Sequence, residues 1–559
     1  MTIRKKDPYR PPGDALWFLP LGGSGEIGMN LNLYGTEGQW LMVDCGVCFP
    51  DETTPGIEVI MPDISFIRDR RDDLLGLVIT HGHEDHLGAI EYLWPHLRCP
   101  VYATPFTMEM IRAKLAEAGL KGQARLFEIP VGGAFELGPF KAEMIHVTHS
   151  VPEAHMIALS TKQGTILHTG DWKFDPDPIV GDLTNEKRLK ELGKQKLMAL
   201  VGDSTNALET EFSRSELDVQ NCFREIFGRY RHRIAVTCFS SSIARLKSIA
   251  VAARQHGRYV ALVGRSLWRN AEIAEGCGYL PEFNQFLSEH EAMEAPRDKI
   301  VLVCTGCQGE PRSALARIAS FDHPAVELET GDVVIFSSRD IPGNEKAIGR
   351  MQNHLIRQGI DILTADKAPV HASGHASAKD MTQLYAWTRP RLAVPVHGEL
   401  RHQTEHARLA KEADVPASII PENGQIIRLG PGIHEVVAEV PVGRIGMDGK
   451  ILRRLDRETV KHRRKLSYNG AAVVTLALDQ RGRVMSDPQV TLLGLEDEQF
   501  LKPLREDLAQ AVLDAVEGMS KSSRADDGAV QNEIRRAARQ FLSESHGKKP
   551  VLEVHLVRV

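Results

Sequence analysis

A short segment beginning at Thr80, THGHEDHLGAI, concentrates side chains that bind metal ions. It places His81, His83, Asp85 and His86 directly after the apolar run LLGLVIT. Imidazole nitrogens and carboxylate oxygens together suit zinc or manganese, and their tight spacing lets several ligands converge on one place. Such a set at a predicted strand-to-helix turn predicts a metal centre, and its ligands can be shared between two ions.

Further potential ligands follow other predicted strands: His149 in HVTHS, Asp171 in LHTGDW and His397 in PVHGE. Because a carboxylate has two oxygens, Asp171 could hold two cations roughly 3.5–4 Å apart, a separation at which they activate water at neutral pH. Asp44 in MVDCG has no obvious cation of its own. We therefore expect Asp44 to orient ligand histidines through hydrogen bonds.

The cysteines offer a different metal site. Two CxxC pairs, Cys45/Cys48 and Cys304/Cys307, could in principle make a four-thiolate zinc centre. Each pair lies beside a predicted strand within a longer motif. The interpretation we prefer is that these are small buried residues near functional loops.

The elements that must position these ligands change in type along the chain. From about residue 15 to 207, short apolar strands alternate with Gly-rich turns and end in polar residues, which is typical of a sheet with a site built on its loops. Between about 213 and 365 the pattern is strand then helix, which indicates a parallel α/β unit. The chain then returns to ligand-rich loops, so the α/β unit is predicted to be an insertion.

These changes define the expected domains. Residues 1–212 and 367–430 should form one domain that the insertion, residues 213–366, splits. A linker over 431–465 should lead to a small α+β domain over 466–559, where apolar strands flank two helical patterns.

Composition narrows the function classes. A chain of 559 residues is too long to fold around one hydrophobic core, so we expect more than one domain. Its content of 25% charged and 42% hydrophobic residues is typical of a globular protein. The net charge of −6 does not by itself indicate binding to nucleic acid. Evidence for such binding must come from local basic patches. Eight scattered cysteines and the N-terminal MTIRKKDPYRPPGD, which lacks a signal-peptide core, predict a cytoplasmic protein, and we expect no membrane partner.

The order of the motifs points to a family. VDCG, HGHEDH, the isolated His149 and TGDW resemble the metallo-β-lactamase superfamily, and GDSTN, SGHAS and PVHGE resemble the extra motifs of its nucleic-acid-cutting β-CASP branch. With GGSGEIGMN and TGCQGEP, the chain is similar over essentially its whole length to the bacterial ribonuclease J family. The resemblance implies an α/β fold: a metallo-β-lactamase αββα sandwich split by an inserted parallel α/β β-CASP domain, plus a small C-terminal α+β domain.

The resemblance also implies two zinc ions per subunit, with manganese or magnesium able to support activity. It divides the metal ligands into His81, His83 and His149 for one ion, Asp85, His86 and His397 for the other, and Asp171 between them.

His375 is expected to face the scissile phosphate, where a protonated imidazole could donate to the leaving 3′-oxygen. The alternative is a supporting position behind the ligands, which is the role expected for Asp203 in GDSTN. Catalysis is thus assigned to His375 together with Asp85 and Asp171.

Two segments match those that hold the terminal nucleotide and its phosphate in this family. They are the serines Ser240, Ser241 and Ser242, and the run His371, Ala372, Ser373, Gly374 and His375. Hydroxyls and backbone N–H groups at helix starts are suitable phosphate donors. The chain departs from the family pattern in two places, which leaves the details of the pocket open: Glu153-Ala154 replaces a common Asp-Ser, and SSSIARL lacks the usual Asn and His.

The activity implied by the resemblance is metal-dependent 5′→3′ exonucleolysis of RNA, together with endonucleolysis, in mRNA decay and rRNA maturation. The products should carry 5′-phosphates because nothing calls on the 2′-hydroxyl as nucleophile. The expected partner is single-stranded, preferably 5′-monophosphorylated RNA. A homodimer or homotetramer, and partners in an RNA-degradation complex, are also implied.

Other functions stay open. A β-CASP nuclease acting on DNA would use the same metal machinery, because the 2′-hydroxyl must be sensed elsewhere. An RNA-binding scaffold with little catalysis would not need a complete ligand set, and a lactonase would not need the insertion. The basic stretch RRLDRETVKHRRK (453–465) could touch the RNA backbone or merely be solvated.

Overall fold

The computed structural model describes residues 7–280, 286–341 and 343–559. Some residues named in the predictions lie outside the described ranges. They belong to the expected domains 1–212 and 213–366 and to the N-terminal segment that was expected to lack a signal peptide. The described residues form two compact units. Unit 1 runs to Cys48 and continues over Met61–Gly443, and unit 2 comprises Phe49–Ile60 and Arg444–Val559.

The strands and helices of unit 1 follow the predicted change from strand-rich to alternating segments. Its strands are β1 (Leu16–Gly22), β2 (Ser24–Gly25), β3 (Leu31–Thr36), β4 (Gln39–Val43), β5 (Ile60–Pro62, which begins at the last residue of the unit 2 segment), β6 (Leu74–Val78), β7 (Val101–Ala103), β8 (Leu126–Glu128), β9 (Ala134–Leu137), β10 (Phe140–His146), β11 (His155–Thr161), β12 (Gly164–His168), β13 (Ala199–Asp203), β14 (Ile234–Thr237), β15 (Tyr259–Val263), β16 (Ile300–Cys304), β17 (Val333–Phe336), β18 (Asp361–Leu363), β19 (Leu392–Val396), β20 (Gly398–Glu399), β21 (Ala417–Ser418), β22 (Gln425–Gly430) and β23 (Glu435–Glu439). Its helices are α1 (Ser65–Arg68), α2 (Glu84–Leu87), α3 (Ile90–Leu97), α4 (Pro105–Glu117), α5 (Glu186–Lys194), α6 (Glu216–Phe227), α7 (Ile243–Gln255), α8 (Arg265–Gly276), α9 (Glu289–Glu294), α10 (Ala314–Ala319), α11 (Glu345–Arg357), α12 (Ala378–Thr388) and α13 (Leu400–Glu412).

Two sheets pack face to face in unit 1. One has the strand order β23-β22-β1-β3-β4-β6-β7-β8 and the other β21-β19-β13-β12-β11-β10-β9. Side chains from both, among them Phe18, Tyr34, Ile157 and Val201, share one buried core. A second core, including Leu189 of α5 and Leu384 of α12, covers the outer face of the second sheet. This arrangement confirms the predicted αββα sandwich.

The insertion is a parallel sheet of order β15-β16-β14-β17-β18. Strands β14, β16 and β17 are buried along their whole length, as expected when helices cover both faces of a parallel sheet. After β18 the chain returns to the sandwich, where β19 pairs with β13. The predicted insertion is therefore confirmed.

Unit 2 contains the hairpin β24 (Arg444–Asp448) and β25 (Ile451–Arg454), helix α14 (Glu458–Asn469), and an α+β subdomain. The remaining elements are β26 (Ala471–Leu478), β27 (Gln489–Leu493), α15 (Glu498–Glu517), α16 (Lys521–Arg524), α17 (Asp527–Ser545) and β28 (Val551–Arg558). Alternate residues of β26 are buried, and they pack on α15 and α17 through residues such as Leu508 and Ile534. The predicted C-terminal α+β domain is confirmed, whereas the segment expected as a linker carries regular structure. The division into five sequence segments stays a prediction.

In the part of the chain that the structure describes, no helix has the length and apolar character that crossing a bilayer requires.

A buried arginine joins the insertion to the returning chain. The guanidinium of Arg245, in the first turn of α7, binds both carboxylate oxygens of Glu216 at 2.9 and 3.2 Å. It also donates to the carbonyl oxygens of Ser337 at 2.9 Å and Val370 at 3.2 Å. These partners belong to α6, to the end of β17 and to the segment before His371. One side chain therefore fixes the positions of these three parts of the chain relative to α7.

Replacing Arg245 by methionine should therefore destabilise the protein strongly. Loss of one partner leaves Glu216 as an uncompensated buried charge, which costs about 3–5 kcal/mol. The matched control is Arg229→Met, which breaks an exposed pair with Glu225 and should cost at most about 1 kcal/mol. Urea titrations of both variants measure the apparent free energy of unfolding, and equal losses would contradict the role given to Arg245.

Candidate metal centre

The predicted ligands follow strands that end at a common edge. Asp44, Asp171 and His397 come directly or within three residues after β4, β12 and β19, and His149 follows β10. Strands β12, β13 and β19 are mutually parallel, and β10 runs in their direction because β11 is antiparallel to both β10 and β12. The carboxyl ends of these strands therefore meet at one edge of the sandwich, where sites in such sheets are built.

The HGHEDH segment turns from β6 into α2, with Asp85 and His86 in the short helix. The turn is held by backbone bonds to the VDCG loop: Cys45 N donates to the His86 carbonyl at 2.7 Å, and Val47 N donates to the Glu84 carbonyl at 3.0 Å. Gly46 lies against this backbone so closely that a Cβ would overlap the carbonyl of Asp85. The glycine of VDCG is thus required by a close approach of two loops.

One group of ligand atoms comprises three imidazoles and one carboxylate. Nδ1 of His83 lies 3.2 Å from Nε2 of His81 and 3.0 Å from Nε2 of His149. Oδ2 of Asp171 lies 3.7 Å from Nε2 of His81 and 3.9 Å from Nε2 of His149. A tetrahedral zinc ion with Zn–N bonds of 2.0–2.1 Å separates its ligands by about 3.3 Å, so this spacing fits zinc.

A second group uses the other oxygen of Asp171. Its Oδ1 lies 3.1 Å from Nε2 of His86 and 3.5 Å from Nε2 of His397. Oδ2 of Asp85 lies 3.6 Å from both imidazole nitrogens. The carboxylate of Asp171 therefore faces one set of ligand atoms with each oxygen, as its predicted bridging position requires.

Hydrogen bonds fix which nitrogen of each ring points into the cluster. His86 donates from Nδ1 to Oδ2 of Asp44 at 2.7 Å, and His149 donates from Nδ1 to the carbonyl of Gly374 at 2.5 Å. Both rings consequently turn Nε2 toward the cluster, and this is the nitrogen that holds a cation when the ring is neutral. Asp44 also accepts from the backbone N–H of Thr80 at 2.8 Å, so it orients the ligand-bearing turn as well as His86.

Burial without hydrogen bonding marks the cluster as a cation site. Among the residues that the structure describes, Oδ1 of Asp171 and both ring nitrogens of His397 are buried and lack a hydrogen-bond partner. Such orphaned polar atoms are rare in native interiors and need an explanation. A bound divalent cation supplies one for Oδ1 of Asp171 and Nε2 of His397, so the donor set fits the metal that the sequence predicts.

The electrostatics favour ligand-competent protonation states in the first group. Burial, aided by neighbouring imidazoles, holds the pKa of His81 and His149 well below the usual value and lowers that of His83 to about 4. Burial raises the pKa of Asp171, but the surrounding histidines outweigh it and hold that pKa well below the usual range. These groups are thus neutral imidazoles around an ionised carboxylate at neutral pH.

His375 lies on the more exposed side of the cluster. Its Nδ1 donates to Oδ2 of Asp203 at 2.9 Å and lies 3.7 Å from Oδ2 of Asp171. Burial lowers the pKa of His375, but the carboxylates of Asp203 and Asp171 outweigh it and raise the pKa to about 9. Asp203 is buried, whereas the His375 side chain is 23% exposed and can meet a substrate.

The segment from His371 to His375 lies against the metal cluster. Gly374 contacts the ring of His149 so closely that a Cβ would clash with it. Ser373 Oγ accepts from the Asn206 side chain at 2.8 Å, and the carbonyl of His375 accepts from the same amide at 3.2 Å. Ala372 is buried and His371 partly exposed.

The serine segment lies at the start of α7. Ser240 accepts from the Asn270 side chain at 3.3 Å, and Ser242 is the residue that precedes the helix. Arg245, one turn further on, binds the carbonyl of Val370, which precedes His371. The structure thus joins the two predicted nucleotide segments through Arg245, while their roles stay a prediction.

Two residues to which the sequence analysis gave no role make buried hydrogen bonds in the structure. The Asn30 amide, in the GGSGEIGMN motif, lies 3.1 Å from Nε2 of His86 and 3.2 Å from the carbonyl of Asp85. Glu153, one of the departures from the family pattern, is buried and accepts from the N–H of Phe106 and the hydroxyl of Tyr279, each at 2.8 Å. The motif itself signalled Asn30, whereas the partners of Glu153 are too distant in sequence to be read from it.

The four-thiolate alternative finds no support in the described residues. Among them, the groups close enough to hold a metal ion consist of histidines and aspartates. Burial raises the pKa of the Cys45, Cys304 and Cys307 thiols, which disfavours the thiolate that zinc needs.

Comparison with known families and proteins covers nearly the whole chain. The matching family models are the metallo-beta-lactamase superfamily (residues 29–218), the ribonuclease J beta-CASP domain (231–355), the Zn-dependent metallo-hydrolase RNA specificity domain (363–421) and the ribonuclease J C-terminal domain (458–559).

Three similar curated proteins are each named ribonuclease J. Ribonuclease J of Sinorhizobium meliloti is 43% identical over 551 residues, covering 98% of each chain. Ribonuclease J of Mycolicibacterium smegmatis is 35% identical over 99% of this chain and 98% of that protein, and that of Thermus thermophilus is 32% identical over 97% and 95%. Among solved structures, a protein of unknown function from Enterococcus faecalis V583 matches with a TM-score of 0.53 at 15% identity, covering 74% of this chain and 100% of that chain. That structural match supports the fold alone.

Substituting Gly46 by alanine should weaken metal binding, because the added Cβ must push the backbone of Asp85 and His86 away from the cluster. By analogy with the loss of groups that orient ligands, affinity should fall about 10–100-fold. The control is Gly349→Ala on α11, where a Cβ meets open space. Zinc titration with a competing chelator measures both affinities, and an unchanged affinity in Gly46→Ala would contradict the tight approach of the two loops.

Proposed function

The chain belongs to the ribonuclease J family and is a metal-dependent ribonuclease; from this premise we propose that it removes nucleotides 5′→3′ from single-stranded RNA that carries a 5′-monophosphate, and also cuts RNA internally. The proposal includes two zinc ions per subunit, with manganese or magnesium able to support turnover. Its products carry 5′-phosphates and 3′-hydroxyls, and it serves mRNA decay and rRNA maturation.

The two-sided carboxylate of Asp171 is the observation that carries the proposal. Its Oδ2 faces the group of His81, His83 and His149, and its Oδ1 faces the group of Asp85, His86 and His397. The distances from these oxygens to Nε2 of His81, His149, His86 and His397 are 3.1 to 3.9 Å. A two-ion site of this kind activates water and offsets charge on a phosphoryl group. We assign the metal ligands accordingly.

The residues around the cluster supply binding and proton transfer. Asp203 holds the Nδ1 proton of His375, so Nε2 is the nitrogen left to donate to the phosphate or to the leaving 3′-oxygen. The serines before α7 and the 371–374 segment offer hydroxyl and backbone N–H donors for the 5′-terminal phosphate, and the 13-residue α7 adds the favourable dipole of its N-terminus.

Two further parts of the proposal concern the cellular setting. All eight cysteines are free thiols in the structure, which suits the reducing cytoplasm. The C-terminal domain, by likeness to its family, supports a homodimer or homotetramer and contacts within an RNA-degradation complex.

The proposal is tested with one RNA prepared with a 5′-monophosphate, a 5′-triphosphate or a 5′-hydroxyl, and labelled at its terminal nucleotide. With manganese or magnesium present, labelled mononucleotide should be released chiefly from the monophosphate form. The variant His81→Ala should release none, because it loses a metal ligand, whereas His290→Ala, on the exposed surface of α9, should match the unmodified protein.

Other outcomes would revise the proposal. Internal fragments regardless of the 5′ group would make the protein chiefly an endonuclease. Cleavage of matched DNA without cleavage of RNA would favour the DNA-processing branch.

Removing the imidazole of His375 should separate chemistry from metal binding. His375→Ala should lower kcat by about 10²–10⁴-fold, the usual contribution of a general acid, while zinc content measured by elemental analysis stays at the level of the unmodified protein. A loss of zinc equal to that in His81→Ala would instead make His375 a metal ligand.

A further inference from the structure

Helix α14 of unit 2 carries a stripe of cations along one face. Arg457, which precedes the helix, and Lys461, Arg464 and Lys465 are spaced i, i+4, i+7 and i+8, and Tyr468 follows at i+11. With 3.6 residues per turn these side chains lie on the same face, over a length of about 16 Å. All are exposed. We call these five residues the basic stripe.

Among the described residues, the cations of the basic stripe differ from neighbouring cations in lacking close ion pairs. Throughout residues 7–280, 286–341 and 343–559, its four cations form no ion pair. Arg463, on another face of α14, behaves differently: its guanidinium lies 2.8 Å from the carboxylate of Asp448, which Arg453 also binds at 2.6 Å. Asp456, the acidic neighbour of Arg457, is itself held by Arg454 at 3.0 Å. The structure therefore pairs the cations off the stripe and leaves the stripe open to an anionic partner.

Tyr468 adds an aromatic surface to one end of the basic stripe. It is 74% exposed, although burial of a tyrosine ring is strongly favourable. The ammonium of Lys548 lies 4.2 Å from the ring centroid and donates to the Tyr468 carbonyl at 2.9 Å, which steadies the ring without covering it. Lys549 is exposed next to Lys548 and extends the positive charge.

The combination favours one class of partner. Single-stranded nucleic acid is bound by cations that follow its backbone and aromatic rings on which its bases stack. A membrane surface would instead need a broad apolar face on the helix, whereas the one buried residue of α14 is Val460 and its exposed residues are mostly charged or polar.

We infer that the basic stripe is a second RNA-binding site, in which the four cations contact phosphates and Tyr468 stacks on a base. The site lies on unit 2, away in sequence from every proposed metal ligand and nucleotide-binding residue. The inference rests on the proposed function only in taking single-stranded RNA as the substrate, and its role is to hold RNA beyond the part that enters the metal centre.

The first test measures RNA binding without cleavage at several salt concentrations, using the zinc-loaded protein and a single-stranded RNA of mixed sequence whose phosphorothioate linkages resist cleavage. The variant Lys461→Gln/Arg464→Gln/Lys465→Gln should bind more weakly, and the slope of log K against log salt should become shallower by about 2, since each lost phosphate contact contributes roughly 0.7. The matched control is Arg481→Gln/Lys502→Gln/Lys521→Gln, which removes the same charge from exposed positions of unit 2 and should leave the slope unchanged.

The second test isolates stacking. Tyr468→Ala should weaken RNA binding about fivefold or more at every salt concentration, without a change in slope, because a base loses its aromatic platform. Tyr468→Phe keeps the ring and should bind like the unmodified protein.

Several results would overturn the inference. One is an equal change of slope in the stripe variant and the control variant. Another is a stripe variant that binds RNA normally but loses binding to anionic phospholipid vesicles, or that changes its oligomeric mass in sedimentation, which would make the stripe a membrane or subunit contact. Failure of the proposed function would look different: the unmodified protein would then bind RNA with the stripe-dependent slope but release no nucleotides when manganese is supplied.

Discussion

The structure depends on one electrostatic constraint: carboxylates and imidazoles are buried together at the edge of two packed sheets. Buried, the carboxylates lose their hydration, and Oδ1 of Asp171 and both nitrogens of His397 gain no hydrogen bond in return. The buried carboxylate charge is therefore stable only when positive charge offsets it, and a bound divalent cation supplies part of that charge. Ordinary packing could not hold these groups together, because each would be better solvated elsewhere.

The scaffold meets this constraint by holding Nδ1 of several imidazole rings in hydrogen bonds. Asp44 anchors His86, the carbonyl of Gly374 anchors His149, and Asp203 anchors His375. Two of the residues involved have left-handed backbone conformations, φ 64° at Asp44 and φ 49° at His397, which an L residue adopts only when its surroundings impose it. Local strain and long-range hydrogen bonds together restrict the side-chain conformations of these residues, which solvent-exposed ligands would be free to change.

The sequence predicted what is local and what is periodic. HGHEDH lies in one turn, and the change from strand-rich to alternating segments revealed the insertion, so the fold and a cluster of potential metal ligands could be predicted. Contacts between distant residues could not be read in the same way: His149 and Gly374 are separated by 225 positions, and Glu153 and Tyr279 by 126. The helix that includes part of the segment 453–465 was not predicted, for another reason. Its high charge is typical of a solvated connector, yet residues with good helix propensity and a single apolar anchor, Val460, suffice for a helix there.

The return of the chain to the sandwich has a consequence for synthesis. Strand β19 lies between β13 and β21, and His397 directly follows it. A ribosome adds about 5–20 residues per second, so the early ligands emerge many seconds before this histidine does. Throughout that interval β13 lacks one of its two neighbouring strands, and the second ligand group lacks a member. A nascent ribonuclease thus lacks a complete ligand set until most of its message has been translated.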